Sequence, residues 1–173
     1  MRTLYLLRHA KSSWSDPSLD DVERPLNSRG KEARDVIADW FRRNRIRPDL
    51  VICSPAKRTR QTLKPIRKLW DPCPGIIFEP KVYEASAGDL HDVLRHAAPN
   101  ARSILLVGHN PGLQSLAADL MDDSMDGPAR QLRAKFPTGA IACLTADKEG
   151  WMRMSGGAFR LRDFVLPRLL AAA

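Results

Sequence analysis

Long apolar runs are missing from this chain of 173 residues. None approaches the ~20 residues that a membrane-spanning helix requires. The amino-terminal apolar stretch meets Arg8 and Lys11 too soon for a secretory signal, so a cytoplasmic protein without a membrane segment is expected. Cysteine is scarce: only Cys53, Cys73 and Cys143 occur. An odd number with no Cys-x-x-Cys pair argues against a disulfide framework, and no zinc-finger spacing is present. Cys53 and Cys143 lie inside apolar runs and read as core, whereas Cys73 sits in a proline-rich loop and reads as exposed. Aromatic residues make up 6%, and no strand carries the stacking aromatics of RNA-binding sheets. Repeats, low-complexity blocks and linkers are absent, so residues 1–173 read as one domain. Acidic residues are in deficit, 20 against 28 basic ones, giving a formal charge of +8. That balance favours anionic partners without choosing among a phosphorylated protein, a small phosphate ester and nucleic acid. The basic residues are spread over several segments, which argues against nucleic acid.

What is present begins with Thr3-Leu4-Tyr5-Leu6-Leu7, a buried-strand pattern that stops at Arg8-His9-Ala10. Open α/β sheets place ligands at the carboxyl ends of such strands. A polar stretch from Lys11 to Asn27 follows. It is long for a loop in a compact domain, and loops of that length are commonly functional. Its acids (Asp16, Asp20, Asp21 and Glu23) could screen a basic site or meet a partner; singly, each reads as solvated surface. Ser12, Ser13 and Trp14 read equally well as the mouth of a pocket or as loop packing.

Asn27 or Ser28 can cap a helix whose apolar face is Ala33, Val36, Ile37, Trp40 and Phe41. Arg42, Arg43 and Arg45 gather at its carboxyl end, where cations suit the helix dipole. Leu50-Val51-Ile52-Cys53 is a second buried strand. It leads into Ser54-Pro55, a cap and first-turn pair for a helix with Arg58 near its start, where exposed N–H groups favour an anion. Pro65 should kink or interrupt that helix. Ile76 to Phe78, then Val82-Tyr83 beyond Pro80, give an irregular or edge strand, followed at once by Glu84. A helix entered at Ser86 or Gly88 carries Leu90, Val93, Leu94 and Ala97 and ends at Pro99-Asn100. Ser103 to Val107 is the clearest core strand. It ends in Gly108-His109-Asn110-Pro111-Gly112, before a helix with Leu113, Leu116, Ala117, Leu120 and Met121 on one face. Residues 121–137 read as loop or a short helix. A strand over Gly139–Ala146 turns at Asp147 to Gly150 into a partner at Trp151–Met154, and Phe159–Val165 is a last strand or an extended tail. The four tryptophans read mostly as core or rim.

Alternating strands and helices imply an α/β fold: a three-layer sandwich with a mostly parallel central sheet and helices on both faces. Parallel strands share a direction, so Arg8-His9, Arg58, Glu84 and Gly108-His109 fall on one edge. Two arginines and two histidines there would form a pocket for a tetrahedral dianion. Arginine offers paired donors that match phosphate oxygens, and a neutral imidazole is a nucleophile. His91 and His96 share a helix but not a face, and read as surface. Lys57 and Arg60 read as general positive charge.

Leu7-Arg8-His9-Ala10, Ser54-Pro55 with Arg58 and Gln61-Thr62, and Val107-Gly108-His109-Asn110 together resemble the histidine phosphatase superfamily, also called phosphoglycerate mutase-like. The Arg-His-Ala form, the short chain and Gly108-His109-Asn110-Pro111-Gly112 resemble its SixA-like, phosphohistidine phosphatase branch. The resemblance covers most of the chain. It implies that His9 attacks phosphorus and becomes a phosphohistidine that water hydrolyses. Arg8, Arg58 and His109 would then hold the phosphoryl group, with no metal or other cofactor. Neighbouring arginines should keep His9 unprotonated, with one ring nitrogen donating to a backbone carbonyl. Many superfamily members place a glutamate after the third strand to protonate the leaving oxygen, and Glu84 is the counterpart. The SixA-like branch does not clearly keep that acid, so the donor is open between Glu84 and, from the loop, Asp16. The expected partner is a phosphorylated protein, such as a histidine phosphorelay protein, met by a monomeric enzyme. The alternatives are a small phosphate ester as substrate, or a non-catalytic phosphate- or nucleic-acid-binding module.

Overall fold

The computed structural model describes residues 1–97, 100–147, 151 and 156–170. The chain runs β1 (Arg2–Arg8), α1 (Ser28–Arg43), β2 (Leu50–Cys53), α2 (Lys57–Arg67), β3 (Gly75–Phe78), α3 (Ala87–Ala97), β4 (Ser103–Gly108), α4 (Gly112–Leu120), α5 (Gly127–Ala134), β5 (Ile141–Ala146), β6 (Arg160–Val165) and α6 (Pro167–Leu170). The strands form one sheet in the order β3-β2-β4-β1-β5-β6. The first four are mutually parallel, β5 is antiparallel to β1, and β6 is antiparallel to β5. This is the three-layer α/β arrangement that the alternation of strand and helix patterns implies.

Continuous apolar strands need cover on both faces. On one face Leu4, Leu6, Ile52, Ile104 and Leu106 pack with Leu90 and Leu94 of α3, Leu113 and Leu116 of α4 and Leu132 of α5. On the other, Leu7, Val51, Cys53, Leu105 and Val107 pack with Ile37 and Phe41 of α1 and with Leu63 and Ile66 of α2. Odd and even positions of each strand thus feed different helical layers, as the pleat requires. Cys53 and Cys143 are buried and Cys73 is exposed.

Asn27 is the cap of α1, its side chain accepting from Gly30 N at 2.8 Å. Ser86 opens α3 through a reciprocal pair with Asp89: Ser86 Oγ accepts Asp89 N at 3.2 Å, and the Asp89 carboxylate accepts Ser86 N at 2.9 Å. The end assigned to α3 at Pro99 lies outside the described residues. β3 is a short strand at the sheet edge, and Pro80–Val82 is a 3-10 turn, not a second strand piece.

Three readings of the sequence need correction or narrowing. The α2 helix starts at Lys57, so Ser54 is not its cap; Ser54 Oγ has another partner, described below. Of the two outcomes expected of Pro65, a kink or an interruption, interruption is excluded, since the helix continues to Arg67. Proline removes the donor to the carbonyl four residues earlier, and Arg34 Nη1 supplies that carbonyl, Gln61 O, at 3.3 Å. Finally, the strand on the outer side of β5 is β6, while the hairpin partner expected at Trp151–Met154 falls mostly outside the described residues. Both sides of β5 are taken, by β1 and by β6. Trp151 is instead a buried side chain stacked on Phe159, and Lys148–Gly150 and Met152–Ser155 lie outside the described residues.

Gly30, in the first turn of α1, lets the helix pass against the segment after His9. A Cβ there would collide with the Lys11 carbonyl, which already accepts Asn27 N at 3.0 Å. Gly30→Ala is expected to leave a folded protein by circular dichroism while lowering kcat/KM about tenfold or more, because it displaces the segment next to His9, the residue expected to react. Unchanged kinetics would show that the Lys11 segment tolerates the shift.

Candidate active site

Strand register sets the positions. Arg8 pairs with Gly108 across β1 and β4, and Cys53 with Val107 across β2 and β4. The ladders continue one residue further, with His9 N donating to Gly108 O and Ser54 N to Val107 O. His9, His109 and Ser54 therefore leave three adjacent strands at one level. The imidazole centroids of His9 and His109 are 5.2 Å apart. Arg58 comes from the first turn of α2. A cavity of about 300 Å³ is lined by Arg8, His9, Arg24 and Arg58, together with Ser12 and Trp14.

His9 is 7% exposed. Its Nδ1 lies 2.7 Å from Ala10 O. A carbonyl can only accept, so Nδ1 carries the proton and Nε2 keeps its lone pair. Ala10 is held in turn, its N–H donating to Thr62 Oγ1 at 3.0 Å. Burial is the main reason that the His9 pKa is lowered to about 4; Arg58, Arg8 and Arg24 add to the effect, against the opposing bond to Ala10 O. His109 is lowered to about 3, chiefly by burial and then by His9 and Arg58. His109 Nε2 is 2.7 Å from Ser54 Oγ. The buried His109 Nδ1 and Arg8 Nε have no hydrogen-bond partner among the described residues, while Arg8 Nη1 donates to Phe136 O at 2.7 Å. Buried donors without partners are costly unless a ligand satisfies them.

The residues that sequence reasoning missed are in the 11–27 loop. Asp21, read there as solvated surface, holds the arginines. Its Oδ2 accepts Arg58 Nη2 at 2.8 Å and Tyr83 Oη–H at 2.7 Å, its Oδ1 accepts Arg24 Nη1 at 2.8 Å, and its backbone carbonyl accepts Arg58 Nη1 at 2.6 Å. Desolvation opposes ionisation of Asp21, but the bonds from Tyr83, Arg58 and Arg24 outweigh it and hold the carboxyl well below the usual range. Arg24, 7% exposed, also donates to Ser13 O and Ser12 Oγ. Its guanidinium lies over the Trp14 ring, 3.1 Å from the centroid. The other face of Trp14 is open: the residue is 79% exposed, unlike the buried Trp70 and Trp151. The only signal for Arg24 was its place beside Pro25, before the α1 cap. Tyr83 meets the His109 ring edge-on at 5.5 Å.

Neither proton-donor candidate hydrogen-bonds to these side chains among the described residues. Glu84 is exposed and adopts a left-handed backbone (φ 54°) next to Tyr83. Its carboxylate makes no hydrogen bond or ion pair among the described residues. The Asp16 carboxylate is turned onto its own loop, accepting Ser18 N at 3.0 Å and Ser18 Oγ at 2.6 Å. His96 is exposed with Nδ1 donating to Asp92 O, and His91 is half-buried; neither joins the site. Among the described residues no three His, Cys, Asp or Glu side chains gather as a metal-ligand set, and no helix is long and apolar enough to cross a membrane.

Residues 4–98 match the family model of the histidine phosphatase superfamily (branch 1). The chain belongs to this superfamily. An uncharacterised Mycobacterium tuberculosis protein is 32% identical over 94% of this chain and all of its own length. The Escherichia coli phosphohistidine phosphatase SixA is 25% identical over 85% of this chain and 87% of its own. The solved structure of a protein assigned as phosphohistidine phosphatase SixA from Nakamurella multipartitia superposes with a TM-score of 0.82 at 26% identity, covering 96% of both chains. The protein is a phosphatase of the SixA-like kind.

Two measurements probe the electrostatics of this histidine phosphatase site. In an NMR titration of the four histidines, His9 and His109 should stay neutral down to about pH 5, with midpoints near 4 and 3. Unfolded histidines protonate near 6.5, so the unfolded chain binds more protons in that window. Stability should therefore fall as pH drops from about 6.5 towards 4. A His9 midpoint near 6.5 would remove the basis for a neutral nucleophile. Separately, Asp21→Asn is expected to lower kcat/KM about 10- to 100-fold by releasing Arg58 and Arg24. Wild-type kinetics in that variant would show that the arginines hold their places without the carboxylate.

Proposed function

We propose that the protein hydrolyses the phosphoryl group of a phosphohistidine in a signalling protein, through a phosphohistidine intermediate on His9 and without a metal. The observation that carries the reading is the free lone pair of His9 Nε2 beside the guanidinium groups of Arg8, Arg24 and Arg58. Three guanidinium groups around one cavity disfavour a divalent cation there and favour a phosphoryl dianion. Phosphoryl transfer asks chiefly for positioning and charge stabilisation, and these side chains supply both.

In the first step Nε2 of His9 attacks phosphorus, a new N–P bond forms and the substrate's own N–P bond breaks. Arg8 and Arg58 hold the equatorial oxygens. With Ser54 Oγ–H donating to His109 Nε2, the proton of His109 sits on Nδ1, whose missing partner would be a phosphoryl oxygen. In the second step water attacks the phosphorus on His9, and inorganic phosphate and free imidazole are released. The leaving imidazole of a phosphohistidine can depart once its ring is protonated, so it asks little of an enzyme acid. An ester's alkoxide asks much more, and Glu84, beside Tyr83, is the candidate to protonate it. The names of the SixA relatives support the phosphohistidine reading.

Rates on a phosphohistidine peptide, a phosphoserine peptide and a small ester, measured side by side, test the substrate class. The phosphohistidine peptide should be preferred; preference for the small ester would replace this reading. Incubation with labelled substrate should give an acid-labile, base-stable phosphate on the enzyme. His9→Ala should abolish both label and turnover, and full activity in it would overturn the assignment. Glu84→Gln should cost about 10²-fold or more on the ester and less than about tenfold on phosphohistidine. Equal losses would make Glu84 the acid for both.

A further inference from the structure

Beside the catalytic cavity lies a second one, of about 340 Å³, that the phosphoryl chemistry leaves unused. Lys11 and Thr138 line both, so the two spaces adjoin. Lys11, Arg29, Lys135 and Arg168 supply its charge, and no Asp or Glu lines it. These cations come from four separate places: the segment after His9, the first turn of α1, the residue after α5, and α6. All four are exposed, and none forms an ion pair among the described residues. The acids of this protein that do pair with cations pair elsewhere. The groove is not purely polar, since the buried Leu166 lines it too.

We infer that this groove docks an acidic segment of the phosphorylated protein, next to the residue whose phosphoryl group enters the catalytic cavity. The inference rests on the reading of the substrate as a phosphoprotein. Cations on long flexible stems, spread along a groove with an apolar lining residue, suit successive carboxylates on a polypeptide. A compact phosphate is instead held by converging, planar or backbone donors. A nucleic-acid strand would look for aromatic stacking partners, and no aromatic side chain lines the groove. Charge complementarity of this kind sets encounter rate and specificity, and it weakens with salt.

The test compares two synthetic phosphohistidine peptides, one flanked by four glutamates and one by four glutamines. The enzymes are the wild-type full chain, the triple variant Arg29→Gln/Lys135→Gln/Arg168→Gln, and the double variant Lys135→Glu/Arg168→Glu. Thermal melts establish that the variants fold. For the wild type, the glutamate peptide should have a kcat/KM about tenfold higher, carried by KM and lost in high salt. Both variants should lose that advantage while turning over the glutamine peptide at the wild-type rate. Equal values in the wild type, or an advantage that survives in the variants, would overturn the proposal. If neither phosphohistidine peptide is turned over while a small ester is, the phosphohistidine reading fails instead. Calorimetry with deca-glutamate then decides the groove by itself: binding by the wild type that the triple variant lacks supports it, and no binding, or tighter binding of an oligonucleotide, overturns it.

Discussion

Crowding of like charge around one small space is the constraint on which this structure turns. Three guanidinium groups, those of Arg8, Arg24 and Arg58, face the same cavity as the His9 imidazole; one carboxylate, Asp21, holds Arg24 and Arg58, and the Phe136 carbonyl holds Arg8. Such an arrangement is unfavourable without an anion and becomes favourable when a phosphoryl dianion enters. It also explains the state of the histidines. Burial and the surrounding cations both disfavour imidazolium, so the His9 imidazole is neutral where a free histidine would be partly protonated. In the proposed reaction the feature that binds the phosphoryl group is therefore also the one that activates the attacking nitrogen.

The scaffold makes this crowding possible by fixing its members independently. His9 and His109 are placed by neighbouring strands whose backbone ladders run one residue past the strand ends. Arg58 is placed by a helix that the motif around it ties down: Thr62 holds the Ala10 N–H, and Gln61 Oε1 holds the Leu26 N–H at 2.8 Å. The residues that follow Arg58 in the motif thus serve the loops that flank His9. Ser54, which resembles a helix cap in sequence, serves the second histidine instead. Rigid placement of this sort is what phosphoryl transfer rewards, since no side chain has to move far before reaction.

The surface beyond the cavity divides by charge and shape. On one side Arg24 lies under the exposed Trp14 ring, and on another the cavity adjoins the groove of Lys11, Arg29, Lys135 and Arg168. The proposed acidic partner would settle on this cationic surface while its phosphoryl group reaches His9. The net charge of the chain, uninformative about partners when taken as a sum, acquires meaning from where these side chains gather.

Local pattern determined much of this protein. The continuous apolar runs of β1, β2 and β4, the amphipathic faces of α1, α3 and α4, and the basic residues at strand ends follow from periodicity within a few residues, and so they were legible in the sequence. With Arg58 from the start of α2, the strand-end residues Arg8, His9 and His109 make the core of the site. Tertiary structure alone decided that β6 pairs with β5, because an antiparallel partner is chosen by which sheet edge is open and not by proximity in the chain. It likewise decided that Asp21 clasps Arg58 and Tyr83, which lie 37 and 62 residues away. A polar loop has no periodicity to betray such a role: an aspartate facing water and an aspartate gripping an arginine look alike until the chain has folded and brought their partners within reach.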